Sequence, residues 1–201
     1  MIWIYDALWL LALSLGLPLW LPWALVSARR RRALVKRFLP LPRVEGTPIW
    51  IHAASVGEAE AAAPVVRELE ARGLPLLLTT TSTRGRDRLR ELFPALRVRL
   101  APLDAPGLAA WAVRRVRPAV LALIETEIWP NLIRATRARG GRVVILSARI
   151  SDRSYPRYRR AAPLVRRVLS QVDRIAARSD EDAARFVALG AVPERVAVLG
   201  D

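Results

Sequence analysis

From residue 48 onward the sequence predicts a doubly wound, parallel α/β sheet, and three observations carry that prediction. Short apolar runs alternate regularly with longer helical stretches, the pattern of a parallel sheet wrapped by crossover helices. The runs are four to six residues long and apolar at odd and even positions alike, as strands covered on both faces require. Capping signals sit where the helices should begin and end: Ser55-x-x-Glu58 and Ser179-x-x-Asp182 at the starts, Gly140 and Gly190 at the ends.

The elements follow in order. A first strand, 49–53, breaks at Ser55-Val56-Gly57, and Glu58 opens an alanine-rich stretch of good helix formers, 59–72. A second strand, 76–80, runs into the polar block Thr79-Thr-Thr-Ser-Thr-Arg84-Gly-Arg86 and a helix at 86–93. A third strand is expected at 98–101 with a helix at 108–115, and a fourth at 120–124. Glu125-Thr-Glu127-Ile-Trp-Pro-Asn131 leads from the fourth strand into a helix at 130–139. A fifth strand, 143–146, ends at Ser147-Ala-Arg149 and precedes one helix over 155–170. A last strand, 174–177, is followed by a helix at 180–189. No repeat of fixed period and no low-complexity tract interrupts this order.

The first residues are of a different kind. Residues 1–27 hold one charged side chain, Asp6, and four of the seven tryptophans: Trp3, Trp9, Trp20 and Trp23. The uncharged run 7–26 has the length that crosses a bilayer core as a helix, with tryptophans near both ends as in an interfacial belt. Arginines 29 to 32, Lys36 and Arg37 come after the apolar run, the order of a retained anchor whose following domain is cytoplasmic rather than of a cleaved leader. Pro18 and Pro22 bend any helix that contains them, so spanning and lying in the interface both stay open. The chain thus divides into an anchor (1–27), a basic juxtamembrane linker (28–47) marked by Pro40, Pro42 and Gly46, and the sheet domain (48–201).

Composition narrows the chemistry. A net charge of +15 points to an anionic partner, but the excess is nearly all arginine in an Ala-, Leu- and Pro-rich chain, with Lys36 the sole lysine, which weakens charge as a specific signal. With no cysteine and one histidine, His52, the chain has no disulfide, thiolate nucleophile or multi-histidine metal centre. The first strand–helix turn carries no G-x-G-x-x-G and the sequence no G-x-x-x-x-G-K-[ST], which argues against the usual dinucleotide and phosphate-loop sites. A nucleic-acid reading rests on charge alone, without a recognition motif.

The segment Trp50-Ile-His-Ala-Ala-Ser-Val-Gly-Glu58 holds the sharpest signal. A carboxylate at a strand–loop–helix junction, with small residues that let a substrate approach, suits a general base. Ser55-x-x-Glu58 is equally a capping box, and the helix dipole favours an acid there whatever its role. The hydroxyls, arginines and carboxylates after the second, fourth and fifth strands are expected at one sheet edge, as a sugar or phosphate site needs; each could also serve only as a helix cap or solvated charge.

Four blocks, Trp50-Ile-His-Ala-Ala-Ser-Val-Gly-Glu58, Thr79-Thr-Thr-Ser-Thr, Glu125-Thr-Glu-Ile-Trp-Pro-Asn131 and Ser147-Ala-Arg149, resemble in sequence and order those of the bacterial Kdo transferases. The resemblance implies the Rossmann-like N-terminal half of a GT-B glycosyltransferase, and inverting, metal-independent transfer of 3-deoxy-D-manno-octulosonic acid (Kdo) from CMP-Kdo to a lipid A precursor in lipopolysaccharide synthesis. It implies Glu58 as the general base, Ser55 and Gly57 beside it at the substrate, and Arg84, Glu125 and Glu127 shaping the acceptor and sugar side of the cleft. No cofactor is implied beyond CMP-Kdo as donor substrate. The implied partners are the lipid acceptor and the anionic lipids of the inner membrane, at its cytoplasmic face, and no nucleic acid. The donor-binding motifs of the family have no counterpart before Asp201, so this chain is expected to be the acceptor half, inactive without a C-terminal donor domain. The alternative from the same residues is a non-catalytic, membrane-anchored module that binds anionic lipid.

Overall fold

The computed structural model describes residues 2–25, 35, 37 and 41–200. Seven parallel strands form one sheet: β1 (Ile49–His52), β2 (Leu76–Thr80), β3 (Arg97–Leu100), β4 (Val120–Ile124), β5 (Arg142–Ala148), β6 (Arg174–Ala177) and β7 (Val196–Val198), in the spatial order β3-β2-β1-β4-β5-β6-β7. The helices are α1 (Ile2–Leu25), α2 (Val56–Ala71), α3 (Thr83–Leu92), α4 (Leu108–Val116), α5 (Pro130–Arg137), α6 (Tyr155–Arg160), α7 (Ala162–Leu169) and α8 (Asp180–Ala188).

The two faces of the sheet bury two separate apolar layers. Trp50, Leu77, Leu121, Leu123 and Ile145 meet Val113, Ile133, Val168 and Phe186 from α4, α5, α7 and α8. The alternate residues, Ile51, Leu76, Leu78, Ala122 and Ile124, meet Ala59, Ala62, Val66 and Leu89 from α2 and α3. Right-handed crossovers put the helices on one face while the chain winds outward from β1 to β3, and on the other once it winds outward from β4. The direction reverses between β1 and β4, so the loops that leave these strands part and open a crevice at their carboxyl ends. Glu58 follows β1, and Glu125 and Glu127 follow β4.

Several expected boundaries shift. The helix expected over 155–170 is two, α6 and α7, broken at Ala161 (φ −99°, ψ 18°). Pro163 explains the break: without an N–H and with its ring against the preceding turn, it fits the first turn of a new helix and not the middle of an old one. Helices α2 and α3 begin three residues earlier than expected, at Val56 and Thr83. Strand β7, preceded by a 3-10 turn at Pro193–Arg195, adds an edge strand that was not among those expected. The Ser179–Asp182 box forms, with Asp182 N–H donating to Ser179 Oγ at 3.1 Å, and Gly140 and Gly190 close their helices with φ of 78° and 104°.

Among the described residues, helix α1 is tied to the sheet domain by two polar contacts: Tyr5 donates its hydroxyl to Asp104 Oδ2 at 3.0 Å, and Asp6 pairs with Arg134 at 3.3 Å. Ile4, Leu8, Leu11 and Leu15 lie exposed along the helix at helical spacing. Among the described residues no helix is long and apolar enough to cross a membrane. Arginines 29 to 32, Lys36 and Pro40, on which the expected basic linker rests, lie outside the described residues, as do the side chains of Pro18 and Pro22.

Candidate active site

Glu58 occupies the first turn of α2 and is 9% exposed. Ser55 caps the helix, and Glu58 reaches back to the Ser55 hydroxyl and to the backbone N–H of Ala54, one residue before the cap. Glu58 N–H donates to Ser55 Oγ at 3.2 Å, Ser55 Oγ–H donates to Glu58 Oε1 at 3.0 Å, and Ala54 N–H donates to Oε2 at 2.6 Å. Capping does not exclude chemistry, because the electrostatics run against a plain cap. Burial raises the carboxyl to about 7, and the neighbouring Glu127 and Glu125 carboxylates push the same way against the hydrogen bonds from Ala54 and Ser55. A carboxyl that ionises near neutral pH at the mouth of a crevice has the basicity that proton abstraction from a hydroxyl asks of a general base.

Around it, Ser55 and Gly57 are exposed, and a Cβ at Gly57 would meet nothing closer than Ser55 Oγ at 4.0 Å. That side of the turn is open to a ligand. Across the switch point, Glu127 is half-buried, and burial, then the nearby Glu125, raises its carboxyl above the ordinary range. Its Oε2 accepts from Trp129 Nε1 at 2.5 Å. Glu125 has φ of 60°, the left-handed region that a residue with a Cβ rarely adopts, and Ser147 at the end of β5 has φ of 49°. Backbone strain of this kind concentrates at functional sites. Glycine at position 125 is expected to relieve it, raising stability by about 0.5–1 kcal/mol while removing a carboxylate from the cleft. Thermal unfolding of Glu125→Gly checks this, and a lowered midpoint would mean that the carboxylate outweighs the strain.

The hydroxyl block after β2 is committed to the protein itself. Thr79 Oγ1 bonds Trp50 and His52, the hydroxyls of Thr80 and Thr81 both donate to the Ala54 carbonyl at 3.0 and 2.8 Å, and Ser82 caps α3 by accepting from Gly85 N–H at 2.9 Å. These residues clamp the loop that carries Ser55 and Glu58. Gly85 is needed in the same corner, since a Cβ there would lie 2.5 Å from Thr80 Oγ1. Arg84 stands exposed in the first turn of α3, and Arg149 exposed after β5. Arg37 donates to the Thr81 carbonyl and is close enough to His52 to disfavour its protonation.

Asp104, in the loop after β3, escapes the sequence pattern. It is 4% exposed and caps α5 from a distance: its Oδ2 accepts from Asn131 N–H at 3.0 Å and its Oδ1 from Leu132 N–H at 2.7 Å. The local N-cap position is Trp129, which makes no side-chain cap bond. Burial pushes Asp104 up to about 7. The donor–acceptor spacing of 27 and 28 residues left no local signal in the sequence; an acid in a loop beside a strand end was the only one.

Comparison with known proteins gives a consistent account. A family profile described as 3-deoxy-D-manno-octulosonic-acid transferase (kdotransferase) matches residues 26–201. The chain is 38% identical over 176 residues to a 3-deoxy-D-manno-octulosonic acid transferase of Bordetella pertussis, covering 84% of this chain and 40% of that protein. The corresponding protein of Haemophilus influenzae is 33% identical over 183 residues, 87% of this chain and 42% of its own. The chain therefore spans less than half the length of the curated relatives it matches. Among solved structures, Anabaena Alr3699/HepE in complex with UDP superposes with a TM-score of 0.58 at 16% identity, over 77% of this chain and 44% of that one. UDP-GlcNAc 2-epimerase from Neisseria meningitidis bound to UDP-GlcNAc gives 0.56 at 12%, over 77% and 47%. Those two share the fold. The family profile covers every strand and the loops that carry Glu58, Glu125 and Glu127, the relatives share sequence identity as well, and on that ground the chain belongs to the Kdo transferase family.

Proposed function

We propose that this chain provides the acceptor side and the general base of a glycosyltransferase that moves Kdo from CMP-Kdo to a lipid A precursor. The observation that carries the reading is Glu58, a buried carboxyl raised to about 7 at the carboxyl end of β1, facing the acidic loop after β4. In the proposed step Glu58 removes the proton from an acceptor hydroxyl as its oxygen forms a bond to the anomeric carbon of Kdo. The bond from that carbon to the CMP phosphate oxygen breaks, and CMP leaves with the electron pair. Attack opposite the leaving group inverts the centre. Glu127 and Glu125 accept hydrogen bonds from substrate hydroxyls, Ser55 and Gly57 line the approach, and Arg84 meets an anionic group of the acceptor or of Kdo.

The same reading gives helix α1 a purpose. Its exposed stripe, Ile4, Leu8, Leu11 and Leu15, with Trp3 beside it, lies against the membrane that holds the lipid acceptor, at the cytoplasmic face, while Tyr5 and Asp6 hold the domain to the helix. The proposed anchor (1–27), basic linker (28–47) and acceptor domain (48–201) thus place the crevice at the lipid surface. Binding of donor nucleotide is assigned to sequence that the longer relatives have and this chain does not cover.

Transfer is expected to depend on pH through Glu58. Below about 7 the carboxyl is protonated and cannot take a proton, so kcat/KM falls tenfold per pH unit on the acid side. The measurement is radiolabelled Kdo transfer between pH 5 and 9 by a chimera in which this chain replaces the aligned stretch of the Bordetella pertussis relative. An acid limb with a midpoint near 4.5 would remove the argument from burial.

A further inference from the structure

His52, the single histidine, is fully buried, and its Nε2 has no hydrogen-bond partner among the described residues. Its ring is held on the other side. Trp50 Nε1–H donates to Thr79 Oγ1 at 2.7 Å, and His52 Nδ1 lies 2.9 Å from the same oxygen. Register explains the cluster: His52 pairs with Thr79 across β1 and β2, and Trp50 lies two residues back on the same face.

The tautomer follows from counting protons. An indole N–H only donates, so Thr79 Oγ1 accepts from Trp50 and has one proton of its own to give. Thr79 is fully buried, and His52 Nδ1 is the acceptor its hydroxyl reaches among the described residues. Nδ1 is therefore unprotonated, and the ring proton sits on Nε2. The opposite tautomer would leave the threonine proton buried and unpaired, and would turn the Nε2 lone pair toward a carboxylate. That carboxylate is Glu127, whose Oε2 lies 3.8 Å from Nε2. The imidazole ring also stacks edge-on against Trp129, with centroids 4.7 Å apart. Burial, and then the Arg37 guanidinium, push His52 down to about 3. The contact is a neutral N–H donor facing a carboxylate and not an ion pair.

We propose that His52 is a positioning residue for Glu127: fixed as the Nε2–H tautomer by Thr79, it joins the indole N–H of Trp129 in holding Oε2, which leaves Oε1 to accept from a substrate hydroxyl. The proposal requires the 3.8 Å separation to close to a hydrogen bond of about 3 Å in the unliganded chain. The substrate role of Glu127 rests on the function proposed above; the His52–Glu127 coupling does not.

Two measurements on the full chain test this without donor or lipid. Long-range 1H–15N spectra of the single histidine are expected to show a neutral ring protonated at Nε2; protonation at Nδ1, or a charged ring at neutral pH, overturns the proposal. The 13C titration of the Glu127 carboxyl is the second. Its surroundings, the Glu125 and Glu58 carboxylates, the Trp129 indole and the Tyr158 hydroxyl, with Arg37 against His52, stay the same in each variant. Removing the donor in H52F is expected to raise the Glu127 midpoint by about one pH unit, and H52Q, whose amide N–H reaches the place of Nε2–H, to return it. Equal midpoints in the wild-type chain, H52F and H52Q overturn the proposal. If H52F does not fold, H52L supplies the donor-free chain and is expected to show the same rise, and an unshifted midpoint there overturns the proposal. A chain that passes both tests and shows no Kdo transfer in the chimera would refute the proposed reaction and leave the coupling intact.

Discussion

In the chimera, Glu58→Gln is expected to lower Kdo transfer by about a thousandfold while leaving the folded protein in place. General-base removal typically costs 10²–10⁴ in rate, and among the described residues no second carboxylate shares the Ser55–Ala54 cradle that holds Glu58. The effect on stability is small because two terms oppose. Glutamine accepts with one oxygen where the carboxylate uses two, so the bond from Ala54 N–H or that from Ser55 Oγ–H is lost. Against this, a carboxyl that burial holds at about 7 is costly to ionise at pH 8, and the amide removes that cost. The net change expected is within about 1 kcal/mol. A cap without chemistry predicts the reverse pattern, a small loss of stability and no loss of transfer.

Asp104→Ala is expected to have the largest effect on the fold. Asp104 accepts from the first N–H groups of α5 and from Tyr5 of α1. Alanine leaves two buried N–H donors unpaired, a loss of about 2 kcal/mol after allowing for the relief of a buried carboxyl. For a chain of this size the unfolding midpoint falls by roughly 4–8 °C. The loop between β4 and α5, which carries Glu125 and Glu127, depends on that cap for its far end. A chimera carrying the substitution is therefore expected to transfer Kdo less well even below its unfolding temperature. Differential scanning calorimetry checks the first point, and an unchanged midpoint would mean that water caps α5 equally well.

How much of this the sequence revealed depended on the range of the interaction. β2, β4 and β6 were legible to the residue because their apolar runs end at polar turns. The Ser55 and Ser179 caps were legible because donor and acceptor lie three residues apart. β7 was missed although Val196-Ala-Val-Leu199 is apolar, because the strand is three residues long and lies largely exposed at the sheet edge. The proline break between α6 and α7 was written in the sequence at Pro163 and outweighed there by the apolar periodicity on either side. In the site, Glu58 was legible from its junction and its motif, whereas the balance of its basicity needed the burial that only the packed sheet supplies. Asp104 and the Trp50–Thr79–His52 chain join residues 27 to 29 apart, across strand register and loop closure that no local pattern encodes. The sequence left the hydroxyls of Thr80, Thr81 and Ser82 open between a ligand and a structural role, and all three are bonded to backbone groups.

The most direct test of the central claim is Kdo transfer to a lipid A precursor from CMP-Kdo, compared between the chimera containing this chain and the same chimera with Glu58→Gln, at pH 8 and with matched unfolding midpoints. The account predicts transfer by the first and loss of about three orders of magnitude in the second. Transfer by the Gln variant within a few-fold of its parent would contradict it, and would leave Glu58 as a helix cap.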